Sequence, residues 1–328
     1  MRQDLISVVV PVLDEEHSLR ALYRGICAAL STVEDITYEI IFVDDGSRDE
    51  TWSVICSFRE QDLRVKAARL SRNFGHQAAL TAGYHYASGH CVISMDGDLQ
   101  HPPELLPLMI QRWRQGYAVV SMVRDEAETE SWPKVLCSRL FYRFINALSE
   151  VKIKPAVADF RLLDRRVVRR LNSLTERGRF VRGLISWVGF EETEIHYTPA
   201  PRFAGRTKYS WRKMVGLAVN AVSSFSSAPL KWGFNIGLAV TALCVALMSY
   251  AVYNKVYEHK DLTEWSSTFL TMLFLSGVQL LMIGVIGVYV GRIFDEVKKR
   301  PAYITEERLG LVPRSRLRAS AAAARRSA

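Results

Sequence analysis

Two apolar stretches near the C-terminal end limit most strongly what this chain can fold into. Residues 233–253 and 266–291 run without a single Lys, Arg, His, Asp or Glu. At about 1.5 Å per residue, either run wound as a helix crosses a hydrocarbon core of about 30 Å, and only a helix satisfies its own backbone there. Two transmembrane helices are expected, 232–254 and 266–291, joined by a short loop at 255–265. Trp232, Tyr253, Trp265 and Tyr289 flank the runs as interfacial aromatics do. A buried helix of a soluble domain is the competing reading, and two successive runs with such flanks weigh against it. Orientation follows from Lys and Arg. Residues 202–231 carry six basic and no acidic residues, whereas 254–265 carry two basic and three acidic. The positive-inside rule puts both flanks in the cytoplasm and the loop on the far side. Within 206–231, Trp211, Met214, Val215, Ala218, Val222 and Phe225 recur at helical spacing, predicting an amphipathic helix in the interface that breaks at Pro229. A core-facing helix would show the same periodicity.

The formal charge of +9 suggests nucleic acid only until it is located, because residues 292–328 hold ten Lys and Arg against four Asp and Glu. That stretch reads as a basic cytoplasmic tail, and no nucleic-acid partner is expected. Its end, 311–328, is low in complexity, and Leu311-Val312-Pro313-Arg314 resembles part of a protease-cleavage linker. Five cysteines without CxxC spacing fit reduced, packed thiols. Residues 1–4 lead straight into a strand pattern, so no signal peptide is expected. Gly233 with Gly237 and Gly287 with Gly291 allow close helix packing and a homo-oligomer.

The region before about residue 205 alternates β-branched runs, at 6–12, 38–43, 65–70, 91–95 and 118–123, with helical stretches. That alternation predicts an α/β domain with a mostly parallel sheet. Asp14 is placed to cap the helix after the first strand, and Ser47-Arg48-Asp49-Glu50 has capping-box spacing. Ligands of such sheets bind at the carboxyl ends of the strands. Acids collect there: Asp14, Glu15 and Glu16, then Asp44 and Asp45, then Asp96 and Asp98. Clustered carboxylates raise one another's pKa values, and a divalent cation with an anionic ligand is a natural reason to keep them. Neither GxGxxG nor a Walker A sequence is present, which argues against a dinucleotide or a P-loop cradle. Asp96-Gly97-Asp98 offers another hold: its glycine lets both carboxylates face one cavity, where Mg²⁺ or Mn²⁺ could bridge a diphosphate.

Together, Val9-Val10-Pro11-Val12 with Asp14-Glu15, Asp44-Asp45-Gly46-Ser47, Arg72-Asn73-Phe74-Gly75-His76 and Asp96-Gly97-Asp98-Leu99-Gln100-His101-Pro102-Pro103 resemble the GT-A glycosyltransferases. Asp159-Phe160-Arg161-Leu162-Leu163, then Arg202-Phe203-Ala204-Gly205-Arg206-Thr207-Lys208-Tyr209-Ser210, and the apolar pair narrow this. They resemble the polyisoprenyl-phosphate glycosyltransferases, the group of bactoprenol glucosyltransferases and dolichyl-phosphate mannose synthase. The resemblance runs from about residue 5 to about 305. It implies a Rossmann-like GT-A domain over 1–205 and inverting transfer of one sugar to a polyprenyl phosphate at the cytoplasmic face of a bacterial inner membrane. UDP-glucose is the implied donor, undecaprenyl phosphate the acceptor, cell-envelope glycan modification the purpose, and Mg²⁺ or Mn²⁺ the cofactor.

The resemblance also implies roles. Pro11, Asp14, Glu15, Asp44 and Asp45 hold the nucleoside; Asp96 and Asp98 bind ribose and the metal–diphosphate, with Gln100 nearby. Asp159 faces the transferred sugar as base or charge stabiliser, Arg202 and Lys208 neutralise phosphates, and Lys134 and Ser138, at i and i+4, mark the acceptor phosphate. The family's usual Asn is Asp14 here, and its usual Ser is Thr207. A surface pairing of Asp159 with Arg161 or Arg165 is the plain alternative for that acid. His76 and His101 lack zinc-ligand spacing and read as turn or supporting residues. A processive synthase is a weaker alternative, since Gln111-Arg112-Trp113 lacks the spacing of its signature and more spans would be needed. A non-catalytic nucleotide-sugar-binding protein is the other, and the complete set of acids argues against it.

Overall fold

The computed structural model describes residues 3–125, 157–198 apart from 175, 177 and 178, scattered positions between 230 and 249, and 265–311. The chain divides into two compact units: one holds the sheet and returns at 301, and the other covers 211–300.

Eight strands among the described residues form one sheet in the order β7-β5-β6-β4-β1-β2-β3-β8. β1 (Asp4–Val12), β2 (Ile36–Asp44), β3 (Val65–Leu70) and β4 (Cys91–Ser94) are its parallel core. The apolar runs of β1 and β2 explain their central place: Val8, Val9 and Val10 are wholly buried, as are Ile40 to Val43, which is what strands covered on both faces require. Helices α1 (Leu19–Ser31), α2 (Thr51–Gln61) and α4 (Leu106–Arg114) pack their apolar stripes on one face, where Leu22, Ile26, Ile55, Phe58 and Met109 meet Val8, Val10 and Phe42. α3 (His76–Tyr86), α5 (Arg165–Ser173) and α6 (Val181–Val188) lie on the other.

β5 (Val119–Arg124) pairs with β7 (Glu192–Tyr197) in parallel, but β6 (Val157–Asp164) runs antiparallel to both β4 and β5. This reversal brings the beginning of β6, rather than its end, to the carboxyl edge of β4. β8 (Thr305–Leu309) is the second exception: it lies antiparallel on β3, so part of the stretch read as a tail closes the sheet's edge.

In the second unit, α7 (Trp265–Val297) contains the one described helix apolar and long enough to cross a membrane, 274–297. The described positions of the first expected span, such as Gly233, Gly237 and Ala246, are helical but scattered. The stretch 206–229, where the interfacial helix is expected, lies outside the described residues.

Candidate active site

The carboxyl edge of the parallel strands gathers most of the acids. β1 ends just before Asp14, whose φ of 53° lies in the left-handed region that Asn and Asp tolerate best. The replacement of the family's Asn therefore alters charge and not backbone. Asp14 does not cap α1, because its Oδ1 accepts from Arg48 N at 2.9 Å. Ser47 does not open a capping box either: it donates from N and Oγ to Asp44 Oδ1, and its Oγ accepts from Asp14 N at 3.0 Å. Glu15 N donates to Thr51 Oγ1 at 2.9 Å. Hydrogen bonds that the local sequence assigns to helix ends instead stitch the loops after β1 and β2 together. Gly46, at φ 76°, lets this turn lie against Arg72; a Cβ there would sit 2.7 Å from the Arg72 carbonyl carbon.

Asp44 is wholly buried, and its Oδ2 has no hydrogen-bond partner. Arg69 Nε lies 3.5 Å away, near enough to attract the charge without completing a hydrogen bond. Burial pushes the Asp44 pKa up against the lowering pull of the Ser47 bonds. Asp45 is committed differently. Its two oxygens accept from Phe74 N at 2.7 Å and Gly75 N at 2.9 Å, which fixes the loop that opens α3.

The turn after β4 lies against the end of β1. Gly97 makes this possible, since a Cβ there would sit 2.9 Å from Val12 Cγ1 and 3.7 Å from Glu15 Cγ. Asp96 N donates to Nδ1 of the wholly buried His101, whose ring stacks on Phe160 at 5.0 Å. Burial lowers the His101 pKa, which favours the neutral ring. Asp98 Oδ1 accepts from Gln100 N at 3.2 Å, and Leu99 between them sits at φ 64°. Asp96 Oδ1 is buried without a hydrogen-bond partner. Among the described residues no group of three or more His, Cys, Asp or Glu is gathered to hold a metal alone. A buried Asp96 oxygen without a hydrogen bond, with Asp98 two residues on, does fit a hard cation that takes its remaining ligands from phosphate and water.

Asp159 reaches the same edge from the beginning of β6. It is buried rather than at the surface. Arg182 on α6 grips it with Nε to Oδ1 at 2.7 Å and Nη2 to Oδ2 at 2.9 Å. His76 Nε2 stands 3.3 Å from Asp159 Oδ2 and 3.6 Å from Asp96 Oδ1. Burial alone would raise the Asp159 pKa, but the charge of Arg182 and the His76 bond hold it well below the usual carboxylate range. For His76, burial disfavours the cation, yet the Asp159 bond and the Asp96 charge outweigh it and raise the pKa. Ser94 Oγ also donates to the Asp159 carbonyl at 2.7 Å, tying β6 to the end of β4.

Of the expected site residues, Pro11, Asp14, Glu15, Asp44, Asp45, Asp96, Asp98, Gln100 and Asp159 come together at this edge. Lys134, Ser138, Arg202 and Lys208 lie outside the described residues. The sequence reading missed Arg182 and Arg124, whose Nε donates to Tyr197 Oη at 3.1 Å and whose Nη2 lies 3.2 Å from His101 Nε2. His76 it gave only a supporting place. The one available signal was its position at the end of the Arg72-to-His76 motif.

The profile of "Glycosyl transferase family 2" matches residues 7–171. "Uncharacterized glycosyltransferase sll0501" of Synechocystis is 40% identical over 93% of this chain and 96% of its own. "Uncharacterized glycosyltransferase YkcC" of Bacillus subtilis is 40% identical over 93% and 94%. The "SfII prophage-derived bactoprenol glucosyl transferase" of Shigella flexneri is 37% identical over 92% and 97%. A match spanning half the chain at profile level, and nearly all of it against these relatives, leaves one assignment: the chain is a glycosyltransferase and belongs to glycosyl transferase family 2.

Proposed function

We propose that the protein moves a single glucose from UDP-glucose to a polyprenyl phosphate such as undecaprenyl phosphate, with inversion, at the cytoplasmic face of a bacterial inner membrane. The observation that carries this is a pair of buried carboxylate oxygens without a hydrogen bond, Asp44 Oδ2 and Asp96 Oδ1, on the turns after the two strands that flank β1. Unpaired buried acceptors are costly, and donors brought by a ligand relieve that cost. Asp44 accepts from the nucleoside, while Asp96 faces the diphosphate and sugar. The names of relatives such as the Shigella protein support glucose and a bactoprenol acceptor.

A phosphate monoester with a second pKa near 6 is mostly dianionic at pH 7, so the acceptor attacks without losing a proton. Its oxygen bonds to the anomeric carbon as the bond to the nucleotide's diphosphate breaks, and the electron pair leaves with UDP. Asp98 and Asp96 would hold Mg²⁺ or Mn²⁺, which when bound would neutralise charge on the leaving diphosphate. Arg202 and Lys208 add positive charge there, and Lys134 with Ser138 receives the acceptor phosphate.

The sheet bears on the membrane reading. Because β8 follows α7 and pairs with β3, the chain that leaves this unit near residue 210 returns to it at 301. That one sheet-bearing unit holds both ends of the stretch supports an even number of crossings over a single one. The 24 residues of 274–297 extend about 36 Å as a helix, enough for one crossing, and the apolar run at 233–253 is the candidate for the other.

The test is incubation of the full-length protein in detergent or nanodiscs with undecaprenyl phosphate, Mn²⁺ and a panel of labelled nucleotide sugars. Lipid-extractable label from UDP-glucose alone is the expected result. Label in a growing polymer, or none in lipid from any donor, overturns the proposal.

A further inference from the structure

The donors around Asp159 leave that carboxylate little freedom. Its Oδ2 receives Arg182 Nη2 at 2.9 Å, His76 Nε2 at 3.3 Å and Gln77 Nε2 at 3.4 Å. Its Oδ1 receives Arg182 Nε at 2.7 Å. The guanidinium thus binds side-on with two parallel bonds, the arrangement that fixes orientation as well as charge. Gln77 makes the grip mutual, because its Oε1 accepts from Val181 N at 3.1 Å, one residue before Arg182. Its amide therefore ties the start of α6 to the acid that α6 holds. The Ser94 hydroxyl pins the carbonyl of the same residue from β4.

A carboxylate so occupied is a poor proton acceptor, since protonation would displace a strong charged bond. We propose that Arg182 is the positioning residue of sugar transfer: by bonding once to each oxygen, with His76 and Gln77 also on Oδ2, it aims the remaining Oδ1 lone pair at the sugar and keeps Asp159 a fixed anion. Gln77 braces the pair. This inference rests on the glucose-transfer reading above. In that reaction the phosphate oxygen bonds to the anomeric carbon, the electron pair of the breaking bond leaves on UDP, and no proton moves to Asp159. The carboxylate instead stabilises the positive charge that builds on the ring as the old bond lengthens, as carboxylates do at oxocarbenium-like centres.

The test is steady-state UDP release by full-length wild type, Arg182→Lys, Arg182→Gln, Asp159→Asn and the double variant Arg182→Gln/Asp159→Asn. Each is measured with and without undecaprenyl phosphate and paired with a thermal melt. Loss of orientation by about an ångström costs on the order of 100-fold in rate. Arg182→Gln should lose about that in kcat while the KM for UDP-glucose stays within about threefold of wild type. Arg182→Lys, which keeps the charge but not the fork, should fall between them. The double variant should be no slower than the slower single, since the two act as one unit. Multiplying losses, or a loss that appears in KM with kcat intact, overturns the proposal. Should Arg182→Gln fail to fold, Arg182→Lys carries the kcat and KM comparison alone. Wild-type UDP release that ignores the polyprenyl phosphate refutes the acceptor assignment instead, and the order of the variants still judges Arg182 on hydrolysis of the donor.

Discussion

Asp44→Asn separates ligand binding from stability. In the free protein Asp44 Oδ1 accepts both donors of Ser47, while Oδ2 is buried without a hydrogen bond. Asparagine keeps the Ser47 bonds by turning its amide oxygen toward them. It then presents an NH₂ group where Oδ2 stood, so a nucleoside N–H or O–H meets a donor instead of an acceptor. A hydrogen bond to a charged partner is worth about 1.5–3 kcal/mol, and each 1.4 kcal/mol is about tenfold in affinity. UDP and UDP-glucose should bind about 10- to 100-fold more weakly, by calorimetric titration in the presence of Mn²⁺.

Stability should move the other way. Burial holds the Asp44 pKa above its ordinary 3.8, so the folded state takes up this proton more readily than the unfolded chain. The ionised group therefore costs stability above its folded pKa, and the cost disappears as pH falls below the unfolded value. The amide never incurs it. The variant should melt at or above the wild-type temperature at neutral pH, and the gap should close in acid. A variant that binds UDP within about threefold of wild type, or melts well below it at pH 7, refutes the reasoning.

Three shorter predictions follow from the same geometry. Gly97→Ala places a methyl group 2.9 Å from the stiff, buried Val12 side chain, so differential scanning calorimetry should show about 1–3 kcal/mol of destabilisation, with lower kcat/KM as the Asp96 turn shifts. Asp159 has a depressed folded pKa, so the stability it contributes is complete above 3.8 and is lost only as pH falls through its folded value. Urea titrations across the acid range should therefore show a steeper loss for wild type than for Asp159→Asn, with equal slopes at neutral pH. An alkaline phosphatase reporter inserted within 255–264 should be active and one fused after residue 311 inactive, and the reverse pattern excludes the proposed crossings.

What the sequence made legible is local. The five strands it predicts are β1 to β5, within two residues at each end, because each is a short, largely apolar run bounded by polar turns. Asp44, Asp96 and Asp98 stand at the ends of such runs, and a parallel sheet puts those ends together whatever its helices do. β6 escaped because Asp159 and Arg161 sit buried within it, breaking the apolar pattern that marks a central strand. β8 escaped for the opposite reason: Thr305-Glu306-Glu307-Arg308-Leu309 is a charged sequence, acceptable on an outer edge where Arg69 Nη1 lies 3.6 Å from Glu307.

Arg182 had no local signal at all. Eight arginines stand between 161 and 182, and nothing in their spacing distinguishes the one that α6 delivers to Asp159. Its role depends on the antiparallel entry of β6, which turns Asp159 toward the carboxyl edge, and on Gln77, which holds the start of α6 beside it. Motifs ending parallel strands record only what a strand end can reach by itself. Asp159 is reached by a reversed strand and held by a helix 23 residues away, so its setting is a property of topology. An aspartate chosen from its motif alone reads equally well as a base or as a stabiliser. Two guanidinium bonds, a histidine and a glutamine on one carboxylate favour the stabiliser, because each donor that orients the anion also opposes its protonation.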